Sequence, residues 1–132
     1  MKCPIIKKCG GCFYPQDQYQ EELKEKTLFI EKEVQKAKLK IEVKPTVASP
    51  LVNGYRNKAI VAFNQKYEYG LYEEHSQDII PYKHCLLHED IMDEILQYIQ
   101  SYLRKYHVSI YDRKRHKGLL RHVLIRRAIK TN

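Results

Sequence analysis

The chain has 132 residues and a mass of 15.8 kDa, enough for one domain. Hydrophobic residues make up 43% and charged residues 30%, which excludes a disordered tail or a low-complexity linker. Lys and Arg outnumber the acids 24 to 16, for a net charge of +8, which favours anionic partners such as phosphates.

No apolar run approaches the roughly 20 residues of a membrane helix, and the N-terminus carries no signal-peptide core. The sequence therefore predicts a soluble cytoplasmic protein with no membrane partner. At this size roughly two-thirds of the unfolded surface can be buried, so a core forms without disulfide staples.

Pro15, Gln16 and Asp17 read as the entry to a helix. From Asp17 to about Lys38, the residues Tyr19, Leu23, Thr27, Ile30, Val34 and Ala37 recur at steps of three or four, with Glu and Lys between them. That spacing predicts an amphipathic helix with one buried stripe. The pattern then changes to alternation over Lys40–Val47, which predicts a short strand closed at Ser49-Pro50. Asn53-Gly54 marks a turn.

Residues 55–63 read as a second strand with Asn57, Ala59, Val61 and Phe63 on one face. A turn at Asn64–Lys66, lacking glycine, leads to Tyr67–Tyr72 and so predicts a hairpin. A further extended piece around Gln77–Ile80 is stopped by Pro81. Glu89 to about Tyr106 reads as a second helix, with Ile91, Met92, Ile95, Ile99, Tyr102, Leu103 and Tyr106 as its stripe. Its acids sit in the first turn and its Arg104 and Lys105 in the last, as the helix dipole favours.

Residues 119–129 read as a last strand, apolar on both faces and therefore central in its sheet. The segment 113–132 holds eight basic residues (Arg113, Lys114, Arg115, Lys117, Arg121, Arg126, Arg127 and Lys130) and no acid, equal to the whole net charge. The expected fold is α+β: a small antiparallel or mixed sheet packed by two amphipathic helices, with a Cys-rich N-terminal arm. Residues 1–132 then form a single domain, with 1–16 as the metal-binding arm and 17–132 as the α+β region.

The four cysteines are Cys3, Cys9, Cys12 and Cys85, a C-x5-C-x2-C arm followed by one distant thiol. Glycines at 10 and 11 let neighbouring thiols converge on one point. A disulfide framework fits poorly with a reducing interior. Zinc commonly takes four thiolates, but usually from two paired knuckles. An iron–sulfur cluster more often takes three ligands from one loop and a fourth from elsewhere. His84, beside Cys85, is a further zinc donor or simply a surface histidine. Spacing alone leaves cluster, zinc and unliganded thiols open.

With those cysteines go Gln18-Tyr19-Gln20 before a Lys-rich helix, Gly54-Tyr55-Arg56-Asn57-Lys58, Gly70-Leu71-Tyr72, Cys85-Leu86-Leu87 and Gly118-Leu119-Leu120-Arg121-His122-Val123 with Arg126. In this order they resemble the iron–sulfur-containing RNA (uracil-5-)-methyltransferases, and the resemblance covers nearly the whole chain. It implies a [4Fe-4S] cluster on Cys3, Cys9, Cys12 and Cys85, and RNA as partner, ribosomal more than transfer RNA. It also implies methyl transfer from S-adenosylmethionine to carbon 5 of a uridine in 23S rRNA, through a cysteine nucleophile acting on a flipped base.

The sequence has five glycines and no G-x-G-x-x-G loop, and all four cysteines are assigned to the cluster. The catalytic domain is therefore expected to be absent from this chain, which then holds no catalytic residue and is inactive alone. The residues that would carry RNA are Arg56, Lys58, Arg121, His122 and Arg126, each a cation or imidazole interrupting an apolar strand. Lys7 and Lys8 would lie near phosphate, and Arg113–Lys117 would act as a solvated, attracting loop.

Tyr19, Tyr98 and Tyr102 sit at helical spacing and are expected in or near the core. His75 with Asp78 reads as ordinary loop chemistry. Two other readings compete with the methyltransferase segment: a free-standing zinc-binding nucleic-acid module, and a small iron–sulfur electron carrier. An exposed sheet edge beside 119–129 would invite self-association.

Overall fold

The computed structural model describes residues 3–128. Met1, Lys2 and residues 129–132, which include Lys130 and the end of the expected last strand, lie outside the described residues. The chain divides into two compact units, one of 14–52 and one built from 3–13 with the segment from Asn53 onward.

In the first unit a 3-10 helix, Gln16–Gln18, follows Pro15 and leads into α1, Tyr19–Lys36. The predicted helix is present, but its stripe is not buried: no residue of α1 is fully enclosed, and Ile30 is 48% exposed. The expected strand at Lys40–Val47 does not form. Alternation gives that segment its extended shape, yet a strand also needs a ladder partner, and Pro45 has no N–H to offer one. Helix side chains take two N–H groups of this stretch and its continuation. The Thr46 N–H donates to Thr27 Oγ1 (2.9 Å) and the Ser49 N–H to the Tyr19 hydroxyl (2.7 Å).

The second unit holds β1 (Lys58–Phe63), β2 (Tyr69–Tyr72), β3 (Ile79–Pro81), α2 (Asp90–Lys105) and β4 (His122–Arg126). The four strands form one sheet in the order β3-β2-β1-β4, every neighbouring pair antiparallel. This is the α+β arrangement that the sequence predicts. No helix among the described residues is long and apolar enough to cross a membrane.

The β1–β2 hairpin forms without a turn glycine because Asn64 supplies the turn chemistry. Its Oδ1 accepts from the N–H of Lys66 (2.9 Å) and of Glu68 (3.0 Å). Tyr67 takes the left-handed position, φ 62°, that glycine would otherwise fill. Asn64→Ala removes both bonds and is expected to cost about 1–2 kcal/mol in urea unfolding. A loss near zero would mean that the strands alone set the register. Gly70 is required by close approach: a Cβ there would lie 2.2 Å from the Ile80 carbonyl oxygen. Pro81 does not stop the third strand but belongs to it, pairing with Gly70 on an outer strand where its missing N–H does no harm.

The core gathers Val61, Phe63 and Tyr69 from the sheet with Leu96 and Leu103 of α2 and Ile110. The helix boundaries match expectation, and Met92, Ile99 and Leu103 of the expected stripe lie in the buried seam, but Leu96 joins them in place of the other expected members. The seam runs Met92, Leu96, Ile99 and Leu103, at steps of four, three and four, whereas Ile91, Ile95, Tyr98, Tyr102 and Tyr106 are exposed. Tyr98 and Tyr102 are therefore surface residues, not core.

Among the described strands β4 is an outer strand, not a central one. Val123 and Ile125 pack on the core, while Leu124 is 59% exposed on the opposite face. The apolar residues on both sides that suggested a central position reflect one buried face and one apolar open face.

Candidate functional site

The cysteine arm is a succession of turns laid along β2. The N–H groups of Lys8 and Cys9 both donate to the Ile5 carbonyl at 2.9 Å, which coils the chain between the first and second thiols. Cys9 then bridges to Glu73, and the Gly10 N–H donates to the Tyr72 carbonyl (3.3 Å). A Cβ on Gly11 would lie 2.9 Å from Leu71 Cδ1 and 3.3 Å from Cys9 Sγ. The glycine is what permits the arm to lie this close to the strand, as the C-x-x-C step suggested. Its N–H points at Cys9 Sγ (3.4 Å), the arrangement that stabilises a thiolate.

The distant thiol arrives from the segment between β3 and α2. Gly54 and Arg56 each donate a backbone N–H into it, to the Leu86 and Leu87 carbonyls at 2.9 and 2.8 Å. The Arg56 guanidinium reaches the other way, to the Gly11 carbonyl (3.1 Å), so the Tyr55-Arg56-Asn57-Lys58 segment ties the arm to the Cys85 segment. All four thiols are half-buried.

Burial raises the Cys9 thiol first; the Gly11 N–H opposes this, the Cys3 charge adds to it and Arg56 relieves it. The Cys85 thiol is pushed up to about 11, by burial first, with the Leu87 N–H opposing and the charges of Cys12, Asp93 and Cys9 adding. Thiols so arranged resist ionising together unless a cation sits among them. The four thiols are a donor set of the kind that a thiolate-bound metal group takes.

A cluster that sequence reasoning missed stands behind Cys85. Asp93, in the first turns of α2, has its side chain only 5% exposed. Its Oδ2 accepts from the Cys85 N–H (3.2 Å) and faces His84 Nδ1 (3.1 Å), while Oδ1 lies 3.6 Å from His88 Nε2 and makes no hydrogen bond. Burial lowers the His88 pKa first, and Asp93 opposes that shift. Ligand atoms of His84, Asp90 and Asp93 lie within 4.8 Å of one another. The sequence signal was His84-Cys85 with His88 and Asp93 at steps of four and five, but an acid in a helix's first turn reads as a dipole partner.

The five expected RNA contacts are all exposed and fall into three places. Lys58 pairs across the ladder with Arg126, Ile60 with Leu124, and Ala62 with His122. Lys58, His122 and Arg126 thus share the open face of the sheet, away from Val61, Val123 and Ile125. The Tyr72 hydroxyl sits 2.9 Å from His122 Nε2 on the same face, an aromatic that sequence reasoning did not single out.

Arg121 instead stacks over the Tyr111 ring at 4.2 Å, and Arg56 belongs to the cysteine site. A cleft of about 210 Å³, lined by Arg56, Lys58, Ile60, Tyr82, Cys85 and His88 among others, runs between that site and the end of β1. The basic residues 113–117 form an exposed loop, as expected, turned by Asp112 through its carboxylate to the Lys114 and Arg115 N–H groups (2.8 and 3.1 Å).

No family model matches the sequence. The chain is, however, similar over nearly its full length to part of longer proteins named as uncharacterized RNA methyltransferases. One from Clostridium tetani is 34% identical over 137 residues, and one from Bacillus cereus 32% over 135; each match covers 98% of this chain and 29% of the relative. The chain thus spans less than a third of the length of these relatives. The kinship supports an RNA methyltransferase family. A solved tRNA (uracil-54, C5)-methyltransferase of Pyrococcus abyssi, in complex with S-adenosyl-L-homocysteine, shares the fold. Its TM-score is 0.68 at 22% identity, over 86% of this chain and 27% of that one.

Proposed function

We propose that this chain is the cluster-bearing, RNA-binding segment of an S-adenosylmethionine-dependent RNA (uracil-5-)-methyltransferase. Cys3, Cys9, Cys12 and Cys85 would hold a [4Fe-4S] cluster. The observation that supports the reading is the Arg56 tie between the glycine-packed cysteine arm and the segment that bears Cys85, beside a basic sheet face, in a chain akin to RNA methyltransferases. When bound, the cluster supplies cross-linking of arm to fold rather than redox chemistry, since methyl transfer to a uridine carbon needs no electrons.

This chain's own residues would bind and orient RNA. Lys58 and Arg126 meet phosphates, His122 and Tyr72 offer ring faces to unstacked bases, and the 113–117 loop adds long-range attraction. S-adenosylmethionine and the nucleophilic cysteine would belong to the rest of the parent protein, so this chain alone is expected to methylate nothing. Ribosomal RNA of the 23S class is the proposed substrate, from the cysteine arm's resemblance. Transfer RNA is the second reading, favoured by the tRNA enzyme that shares the fold.

Anaerobic purification and reconstitution with ferrous iron and sulfide tests the metal assignment. About four irons and four sulfides per chain are expected. One zinc with no iron would turn the reading to a zinc nucleic-acid module, and a reversible one-electron couple would favour an electron carrier. For RNA, affinity for ribosomal and transfer RNA fragments is measured over a series of salt concentrations. Replacing Lys58 and Arg126 together by Ala is expected to weaken binding and flatten the salt slope by about 1.4–1.8 units. An unchanged slope would remove the open face from the interface.

A further inference from the structure

We propose that Asp93 is a positioning residue for Cys85, the thiol that stands alone in the sequence; the inference rests on the cysteine-site reading. The other three thiols share one coiled arm, and the turns at Ile5–Cys9 and the close-packed Gly11 fix them relative to one another. Cys85 has no such neighbour. It lies between β3 and α2, where the Leu87 N–H faces its thiol, and that segment must in turn be held against the rest of the unit.

The group that reaches it is a buried carboxylate. Oδ2 of Asp93 accepts the Cys85 N–H at 3.2 Å and faces His84 Nδ1 at 3.1 Å, and Oδ1 lies 3.6 Å from His88 Nε2. Three polar groups of residues 84–88 therefore converge on one side chain. A carboxylate is costly to bury and is kept only where it is paired. Helix-dipole complementarity does not require burial, since exposed Asp90 already offers a charge in the same turn. What burial adds is rigidity: Asp93 is anchored between Met92 and Leu96, both almost fully enclosed. Its hold is on the backbone of the Cys85 residue rather than on the sulfur, a role that groups orienting metal ligands commonly take.

The experiment uses the full chain and the variants Asp93→Ala, Asp93→Asn, His84→Ala and Cys85→Ser, each reconstituted anaerobically with ferrous iron and sulfide. Bound iron, visible absorbance and the rate of iron loss to a chelator are read beside the helical circular dichroism of the metal-free chain. Asp93→Ala is expected to keep the helical signal and to lose iron about 10–100-fold faster than the parent. Asp93→Asn, whose amide oxygen still accepts the Cys85 N–H, restores most of the retention.

His84 is largely at the surface, so His84→Ala folds and gives a second reading should Asp93→Ala fail to. It is expected to speed iron loss about tenfold. Parental iron retention in the Asp93→Ala chain, or in His84→Ala where Asp93→Ala does not fold, overturns the positioning role while Cys85→Ser loses its iron. Parental iron in Cys85→Ser sinks the cysteine-site reading beneath it.

Discussion

Cys12→Ser is expected to abolish the visible absorbance of the reconstituted chain and to leave it with a small fraction of the parental iron. A four-thiolate site loses a charged, soft donor when one sulfur becomes a hydroxyl, which remains protonated and neutral near pH 7. The effect should be large because the Cys12 charge is among those that bear on the Cys85 thiol. Cys85 is raised to about 11, with the Cys12 charge among the causes after burial, so a bound cation is what makes both thiolates tenable together.

Stability of the arm should follow. Residues 3–13 form turns rather than a helix or a strand of the sheet, and their ties to the rest of the unit include the Gly10 N–H to the Tyr72 carbonyl and the Arg56 guanidinium to the Gly11 carbonyl. Proteolysis within 3–13 should therefore quicken in the variant and remain slow in the loaded parent. Unchanged absorbance and iron in Cys12→Ser would rule out the four-cysteine assignment. A colourless parent chain that holds one zinc and no iron would keep the site and change its occupant.

What could be read from the sequence was whatever local periodicity determines. The ends of α2, the β1–β2 hairpin and the Gly54 turn all follow from spacing, caps and turn residues within a few positions. What could not be read depends on which face meets a neighbour. The apolar residues of α2 cover more than half its circumference, so the buried seam is chosen by the sheet, and Leu96 was passed over for Ile95. Alternation at Lys40–Val47 cannot reveal that none of the described strands lies beside it.

The same ambiguity touches function. Ile60 and Leu124 make the open sheet face apolar between the cations Lys58 and Arg126, a composition suited to unstacked bases or to further protein. Beside them β4 presents an edge without a partner among the described strands, the position from which self-association was expected. Asp93 was illegible for a third reason: a buried carboxylate is defined by its surroundings, and nothing in E-D-I-M-D distinguishes it from Asp90.

The seam assignment yields the largest expected change in stability. Leu96→Ala should destabilise the second unit by about 2.7–5.0 kcal/mol, because the side chain is 0% exposed and its removal leaves a cavity against Val61, Phe63 and Tyr69. For a unit of this size that corresponds to a fall of at least about 10 °C in the unfolding midpoint. Ile95→Ala, one residue earlier and 37% exposed, should cost less than about 1.5 kcal/mol. Equal losses would mean that the helix presents a different face to the sheet.

The pair also bears on the metal site. Leu96 lies three residues beyond Asp93 on the same helix, so loosening this seam should loosen the hold on Cys85, whereas Ile95→Ala should leave iron retention at the parental level. A Leu96→Ala chain that retains iron as firmly as the parent would show that the Cys85 segment is fixed without help from α2.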